Sequence, residues 1–276
     1  MDYTKFINTM QDKLKENLSP DVKVDIHSTV KNNGTIRIGL MFIQPDVNIS
    51  PTIYLEEFYE QYLQGESVNF LVQSLLEIYE KVRVKQSVPY QNIFEYSKIK
   101  DHIVYKIIQR ESNEGLLSQI PHEYYLDLAI VYYVIMENTD FGTATLLIRN
   151  EHLKGWGISK EEICAEARVN TPALLPVEVA MLTEYMYIVT NSIRSFGAAV
   201  MLYDGIWKQM EHLIGGDFYV LPSSVHELIL IPESYGMDRR DLQEMVKEVN
   251  RTEVEKEEIL SDNVYYYCGK EERLLC

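Results

Sequence analysis

The hydrophobic period of this chain switches repeatedly between 3.6 residues and two, which excludes both an all-helical and an all-β architecture. Tyr3, Phe6, Ile7, Met10 and Leu14 fall at helical spacing with charged residues between them. Val22, Val24 and Ile26 then alternate with Lys23, Asp25 and His27, and Ile36, Ile38 and Leu40 resume the alternation after Asn32, Asn33 and Gly34. Because Asn and Gly tolerate positive φ, the spacing predicts an amphipathic first helix followed by a β-hairpin over 22–42. After Pro51 the helical period returns, with Tyr54, Phe58, Tyr59 and Tyr62 in one segment. It continues beyond Gly65 with Val68, Leu71, Val72, Leu75, Leu76, Tyr79 and Val82. The mixed pattern over 91–118 is read as helical.

Around Ile120 the character changes. Residues 124–136 are dense in Tyr, Val, Ile and Leu without a helical stripe, which predicts one long buried strand, paired antiparallel with 143–148. Ser159 and Glu162 have capping-box spacing and open a helix through Ala167, with a stop expected at Thr171-Pro172. Further strands are expected over 185–190, 196–202, 218–221 and 225–231. Between them Ile206, Trp207, Met210, Leu213 and Ile214 form a helical face that Gly215 and Gly216 end. Leu242, Met245, Val246 and Val249 predict a last helix, and 264–267 an edge strand. The fold class is therefore α+β: a helical N-terminal half with a hairpin, then a predominantly antiparallel sheet with helices packed on it. The expected regions are 1–118 and 119–276, with the boundary near 115–121.

The 42 Asp and Glu outnumber the 26 Lys and Arg, giving a formal charge of -16, so no positive field gathers phosphate backbones and nucleic acid is not an expected partner. No apolar run approaches the roughly 20 residues of a membrane helix and the first residues are polar, so a cytoplasmic protein is expected. Cys164, Cys268 and Cys276 are odd in number and lack C-x-x-C spacing, which reads as reduced structural thiols without a metal.

The strings "LLIRNEHLKGWGIS" (146–159), "IVTNSIRSFGAAVMLYDG" (188–205), "DFYVLPSSVHELILIP" (217–232) and "LSDNVYYY" (260–267), with "PTIYLEEFYEQY" (51–62), resemble an uncharacterised family of Gram-positive bacteria known only as a domain of unknown function. The C-terminal half is more distantly similar to a second uncharacterised bacterial family. The resemblance implies a bacterial cytoplasmic α+β protein and supplies no catalytic residue, cofactor or substrate.

The most tempting constellation is "LPSSVHELIL", which puts Ser223, Ser224, His226 and Glu227 within five residues. On a strand His226 and Glu227 face opposite sides, and Ser224 lacks the G-x-S-x-G elbow, so a structural turn with a satisfied histidine is the expectation. His226-Glu227 also fails as H-E-x-x-H, because position 230 is Leu230, and His27, His102, His122, His152 and His212 show no ligand spacing. Gly155-Trp156-Gly157-Ile158-Ser159-Lys160 lacks the glycines of a phosphate loop and should end one helix and cap the next. Asn191, Ser192, Arg194 and Ser195 make a hairpin loop or, less favoured, a small anion site.

Twenty tyrosines suit a protein contact surface or a wet core edge equally, and the acidic stretch Glu253, Glu255, Glu257, Glu258 and Asp262 reads as a solvated face or, less favoured, a surface for a basic partner. The expectation is a non-enzymatic binding or regulatory module without a cofactor, meeting a protein partner through its Tyr-rich or acidic surface or a ligand near Asn191, Arg194 and Ser223. The alternatives are a hydrolase or transferase with a loop-assembled site at Ser224 and His226, with Asn191, Arg194 and His152 in support, and an acidic immunity- or decoy-type protein.

Overall fold

The computed structural model describes residues 1–45, 47, 50–83, 95–139 and 142–275. Backbone contacts divide the chain into two compact units: Met1–Lys31, Thr35–Ile93 and Thr139–Gly142 in the first, and Asn32–Gly34, Phe94–Asn138 and Thr143–Cys276 in the second.

The first unit opens with α1 (Tyr3–Asn17), whose N-terminus is capped by the Asp2 side chain accepting from the Lys5 amide. Its Phe6, Ile7, Met10 and Leu14 are buried. β1 (Lys23–Val30) and β2 (Ile36–Ile43) pair antiparallel with Val24 opposite Phe42 and Val30 opposite Ile36. The residues between them include Asn33 at φ 56° and Gly34 at φ 67°, the left-handed pair that the hairpin reading required. β3 (Thr52–Tyr54) adds to the other edge of β2, where a Cβ on Gly39 would meet the Ile53 carbonyl at 2.7 Å, so only glycine fits. Two helices, α2 (Glu56–Leu63) and α3 (Val68–Val82), contribute Phe58, Leu71, Leu75 and Tyr79 to one core with Phe6, Leu40 and Phe42.

The second unit holds two antiparallel sheets. Between the short helices α4 (Tyr96–Ile99) and α5 (Glu114–Leu117) runs β4 (Ile103–Gln109), inside the 91–118 stretch read as helical. Ile103, Val104, Tyr105, Ile107 and Ile108 are all buried, so this strand is covered on both faces and shows no alternation from which to recognise it. Residues 91–94 of that reading lie outside the described residues. Position 115–121, read as the boundary, falls within this unit, because β4 pairs with β6 across it.

The long strand expected over 124–136 is instead a hairpin, β5 (His122–Tyr125) and β6 (Leu128–Thr139), turned at Leu126 with φ 56°. Tertiary contacts impose that turn: the Asp127 carboxylate accepts hydrogen bonds from Ser261, Asn263 and Tyr265, more than 130 residues onward. β6 lies between β4 and β5 and also pairs with β7 (Gly142–Leu147).

α6 (Asn150–Trp156) ends at Gly157 in the left-handed region, and Ser159 with Glu162 forms the expected capping box at the head of α7 (Lys160–Leu174). α7 runs through Pro172 to Leu174, past the expected stop, because Thr171 is anchored: its hydroxyl donates to the Ala167 carbonyl and accepts from the Tyr105 amide at 3.0 Å. The larger sheet has the order β13-β12-β10-β11-β9-β8, with every pairing antiparallel. Its strands are β8 (Val177–Thr183), β9 (Met186–Asn191), β10 (Phe218–Pro222), β11 (Leu228–Pro232), β12 (Tyr265–Cys268) and β13 (Arg273–Leu275). β8 was not read from the sequence; as an edge strand with most residues exposed it has no buried face to impose alternation.

Three further expectations are corrected. Gly197–Leu202 is a 3-10 turn rather than a strand. Gly197 lies so close to the Asn191 amide, the Thr190 hydroxyl and the His226 carbonyl that a Cβ would collide with them. β11 begins at Leu228, leaving Val225 to Glu227 in the connection. β12 is not an edge, since β13 covers it. α8 (Ile206–Ile214), ended by Gly215 at φ 90°, and α9 (Arg239–Thr252) lie where their periodicities place them, burying Ile206, Met210, Leu242 and Val246 but leaving Leu213, Met245 and Val249 exposed.

Candidate functional site

Ser223, Ser224, His226 and Asn191 lie in a closed hydrogen-bonded knot, with the Arg194 guanidinium exposed beside it and His152 apart from it on α6. The Ser224 hydroxyl accepts from the backbone amide of His226 at 3.0 Å, and the Ser223 hydroxyl donates to Glu227 at 3.4 Å. The His226 ring is turned elsewhere: Nδ1 accepts from the Phe196 amide at 3.2 Å, and Nε2 lies 3.4 Å from the Glu258 carboxylate. Its face stacks on the Phe196 ring with centroids 5.5 Å apart. Thr190 donates its hydroxyl to the His226 carbonyl. Asn191 is buried, donating to the Ser195 carbonyl and accepting from the Ile193 and Ser195 amides, and so closes the loop after β9 upon itself. Arg194 and Phe196 take positive φ in that loop, and the exposed Arg194 guanidinium lies 3.5 Å from Glu178. His152 accepts from the Arg149 amide at the head of α6 and packs beside Trp156; burial, then the neighbouring Arg149 charge, lowers its pKa. Ser224 and the His226 imidazole share no hydrogen bond, so no serine–base relay is formed.

An open site lies elsewhere in the same unit. β4 and β6 place Tyr105 directly opposite Tyr132, and β5 sets Glu123 opposite Ile130. α7 packs across them with Cys164 and Arg168 one helical turn apart. Together with the segment from Leu202 to Asp204 that leads into α8, these elements enclose a cavity of about 690 Å³. Five of its lining residues are tyrosines: Tyr105, Tyr124, Tyr125, Tyr132 and Tyr203. Tyr203 donates to the Leu175 carbonyl at 2.6 Å and meets the Tyr105 ring edge-on at 6.4 Å.

Glu123 organises the polar wall. One of its oxygens, Oε2, accepts from the Tyr132 hydroxyl at 2.8 Å and the Cys164 thiol at 3.0 Å, with the Arg168 guanidinium 3.6 Å away. Burial works to raise the Glu123 pKa, but the hydrogen bonds from Cys164 and Tyr132, aided by the Arg168 and Lys160 charges, lower it overall. The same pairing acts oppositely on the donors. Burial and then the bond to Glu123 push the Cys164 thiol up, and burial holds the phenols of Tyr105, Tyr132 and Tyr203 above their ordinary range. At neutral pH the cavity therefore presents the ionised Glu123 carboxylate, neutral phenols and the Arg168 guanidinium, while the protonated Cys164 thiol, which is not among the lining residues, holds Glu123. With its thiol held protonated, Cys164 is a hydrogen-bond donor rather than an activated nucleophile.

The sequence signal for this site was partial. The tyrosine cluster of β5 and β6 was visible, whereas Glu123, Arg168 and Asp204 come together only through tertiary packing. Among the described residues, no group of three or more His, Cys, Asp or Glu is placed to hold a metal ion. No described helix is long and apolar enough to cross a membrane.

A model of a family of unknown function (DUF5688) matches residues 3–186 and 180–269. No curated protein and no solved structure matches the chain.

Proposed function

The chain belongs to the DUF5688 family, and we propose that it acts as a non-enzymatic small-molecule-binding module whose site is the tyrosine-lined cavity of the second unit. The cavity itself carries this reading: about 690 Å³ falls within the size range of small-molecule sites, and its walls combine aromatic surface with a few fixed polar groups. The anchoring of those groups supports it further. Tyr132 and Cys164 hold Glu123, while Thr171 ties the Tyr105 backbone to α7, so the site is preorganised for recognition. Binding is favoured over hydrolysis because Ser224 accepts from a backbone amide, the His226 ring is held between the Phe196 amide and the Glu258 carboxylate, and Cys164 donates to a carboxylate. A reducing bacterial cytoplasm suits the role of Cys164 as a buried free thiol.

Ligand-observed NMR with a fragment mixture tests the proposal against the Gln209→Trp variant. Gln209 is exposed and lines the cavity, so an indole there obstructs the space without disturbing the core. Fragments are expected to bind the natural chain and to be lost from the variant. Equal binding to both proteins would remove the cavity as the working site.

A further inference from the structure

We infer that the cavity takes an organic cation, an ammonium or guanidinium group carried on an apolar body. This inference rests on the reading of the cavity as a binding site. Two carboxylates, Glu123 and Asp204, line the space against one guanidinium, Arg168, so its formal charge is negative. The groups differ in how fully they are already engaged. Glu123 uses Oε2 for all its contacts with Tyr132, Cys164 and Arg168, and among the described residues its Oε1 accepts no hydrogen bond. Among the described residues Asp204 has no ion pair or side-chain hydrogen bond, and the Tyr105 hydroxyl likewise has no hydrogen-bond partner there. The electrostatic influence of Asp204 is nonetheless felt at Tyr105, where it adds to burial in keeping the phenol protonated.

These groups select by charge. A ligand that displaces water from Glu123 without replacing its hydrogen bonds leaves a desolvated carboxylate, which opposes neutral apolar ligands. An anion meets two carboxylates, and the guanidinium that would receive it already lies 3.6 Å from Glu123. A cation gains from both carboxylates and from the tyrosine rings beside them, whose electron-rich faces attract ammonium and guanidinium groups, Tyr124 excepted because the Arg110 guanidinium already lies 4.1 Å over its ring. The apolar body fits against Ile130, Val177 and Ile206, which also line the space.

Calorimetric titration of the full chain with three probes of matched size tests the inference: 2-phenylethylammonium, 2-phenylethanol and 3-phenylpropionate. The ammonium should bind about tenfold or more tighter than the alcohol, with the propionate weakest. Asp204→Asn, an exposed substitution that leaves the core intact, should weaken the ammonium about tenfold, equivalent to about 1.4 kcal/mol, and leave the alcohol unchanged. Equal binding of ammonium and alcohol, or preference for the propionate, overturns the cation inference. If that binding disappears in Gln209→Trp, the cavity reading survives the loss. Failure of all three probes on a chain that still binds other fragments likewise overturns the cation inference alone. Failure of every fragment overturns both.

Discussion

Two partly buried polar clusters of the second unit, one around His226 and one around Glu123, differ in what their hydrogen bonds leave over. Around His226 both ring nitrogens, the ring face and the flanking serines meet groups of the same chain, and the Gly197 backbone presses against them. Around Glu123 one carboxylate oxygen takes every contact, and the space in front of it is open. Both clusters contain residue types that occur in active sites. Residue type therefore does not separate a structural knot from a binding site; unused hydrogen-bonding capacity beside a cavity does.

The largest expected effect tests how tightly the knot is closed. Gly197→Ala places a methyl group against Thr190, Asn191 and His226 and should cost about 3 kcal/mol, read from the urea unfolding midpoint. A loss well below 1 kcal/mol would show that this region yields and weaken the contrast. His226→Ala should cost about 2 kcal/mol, because the Phe196 amide loses its acceptor. Binding at the cavity should meanwhile stay unchanged, and a parallel loss of probe affinity would mean that the two clusters act as one.

The cavity side has a pH signature. Burial raises Tyr203 and Tyr105 above their ordinary range, so the native state retains protons that the unfolded chain releases. The contribution is intact below about pH 10 and is lost as the pH rises toward the native pKa, at up to about 1.4 kcal/mol per pH unit for each such group. Tyr203→Phe should therefore flatten the decline in stability between neutral and strongly alkaline pH, by about 1 kcal/mol at one unit above the free phenol pKa. An unaltered slope would mean that this phenol titrates freely. The smallest effect concerns Cys164, which should react with iodoacetamide about threefold more slowly than the less buried Cys268, because its thiol is covered and donates to Glu123. Reaction of Cys164 first would reverse its assignment as a passive donor.

Elements whose identity depends on local pattern were legible. α1, α3, α8 and α9 each show one buried stripe, the Asn33-Gly34 pair supplied positive φ, and Ser159 with Glu162 marked the start of α7. β4 was hidden because both of its faces are buried, and β8 because it lies exposed at an edge. The break between β5 and β6 has no local signal for a different reason: Leu126 is an ordinary apolar residue, held left-handed beside a carboxylate that bonds to the C-terminal segment.

The sites divide along the same line. "LPSSVHELIL" looked chemical because its residues are neighbours in the chain, and proximity there produced local bonds between side chains and backbone. Glu123, Cys164, Arg168 and Asp204 are spread over three separate segments. The sequence by itself determined the α+β class, the acidic charge and the repeating apolar faces, since each follows from composition or spacing within a single element. Only the tertiary structure decided that β5, α7 and the segment before α8 face one cavity, because the hydrogen bonds that aim Glu123 join residues up to 41 positions apart, and no local spacing encodes such a meeting.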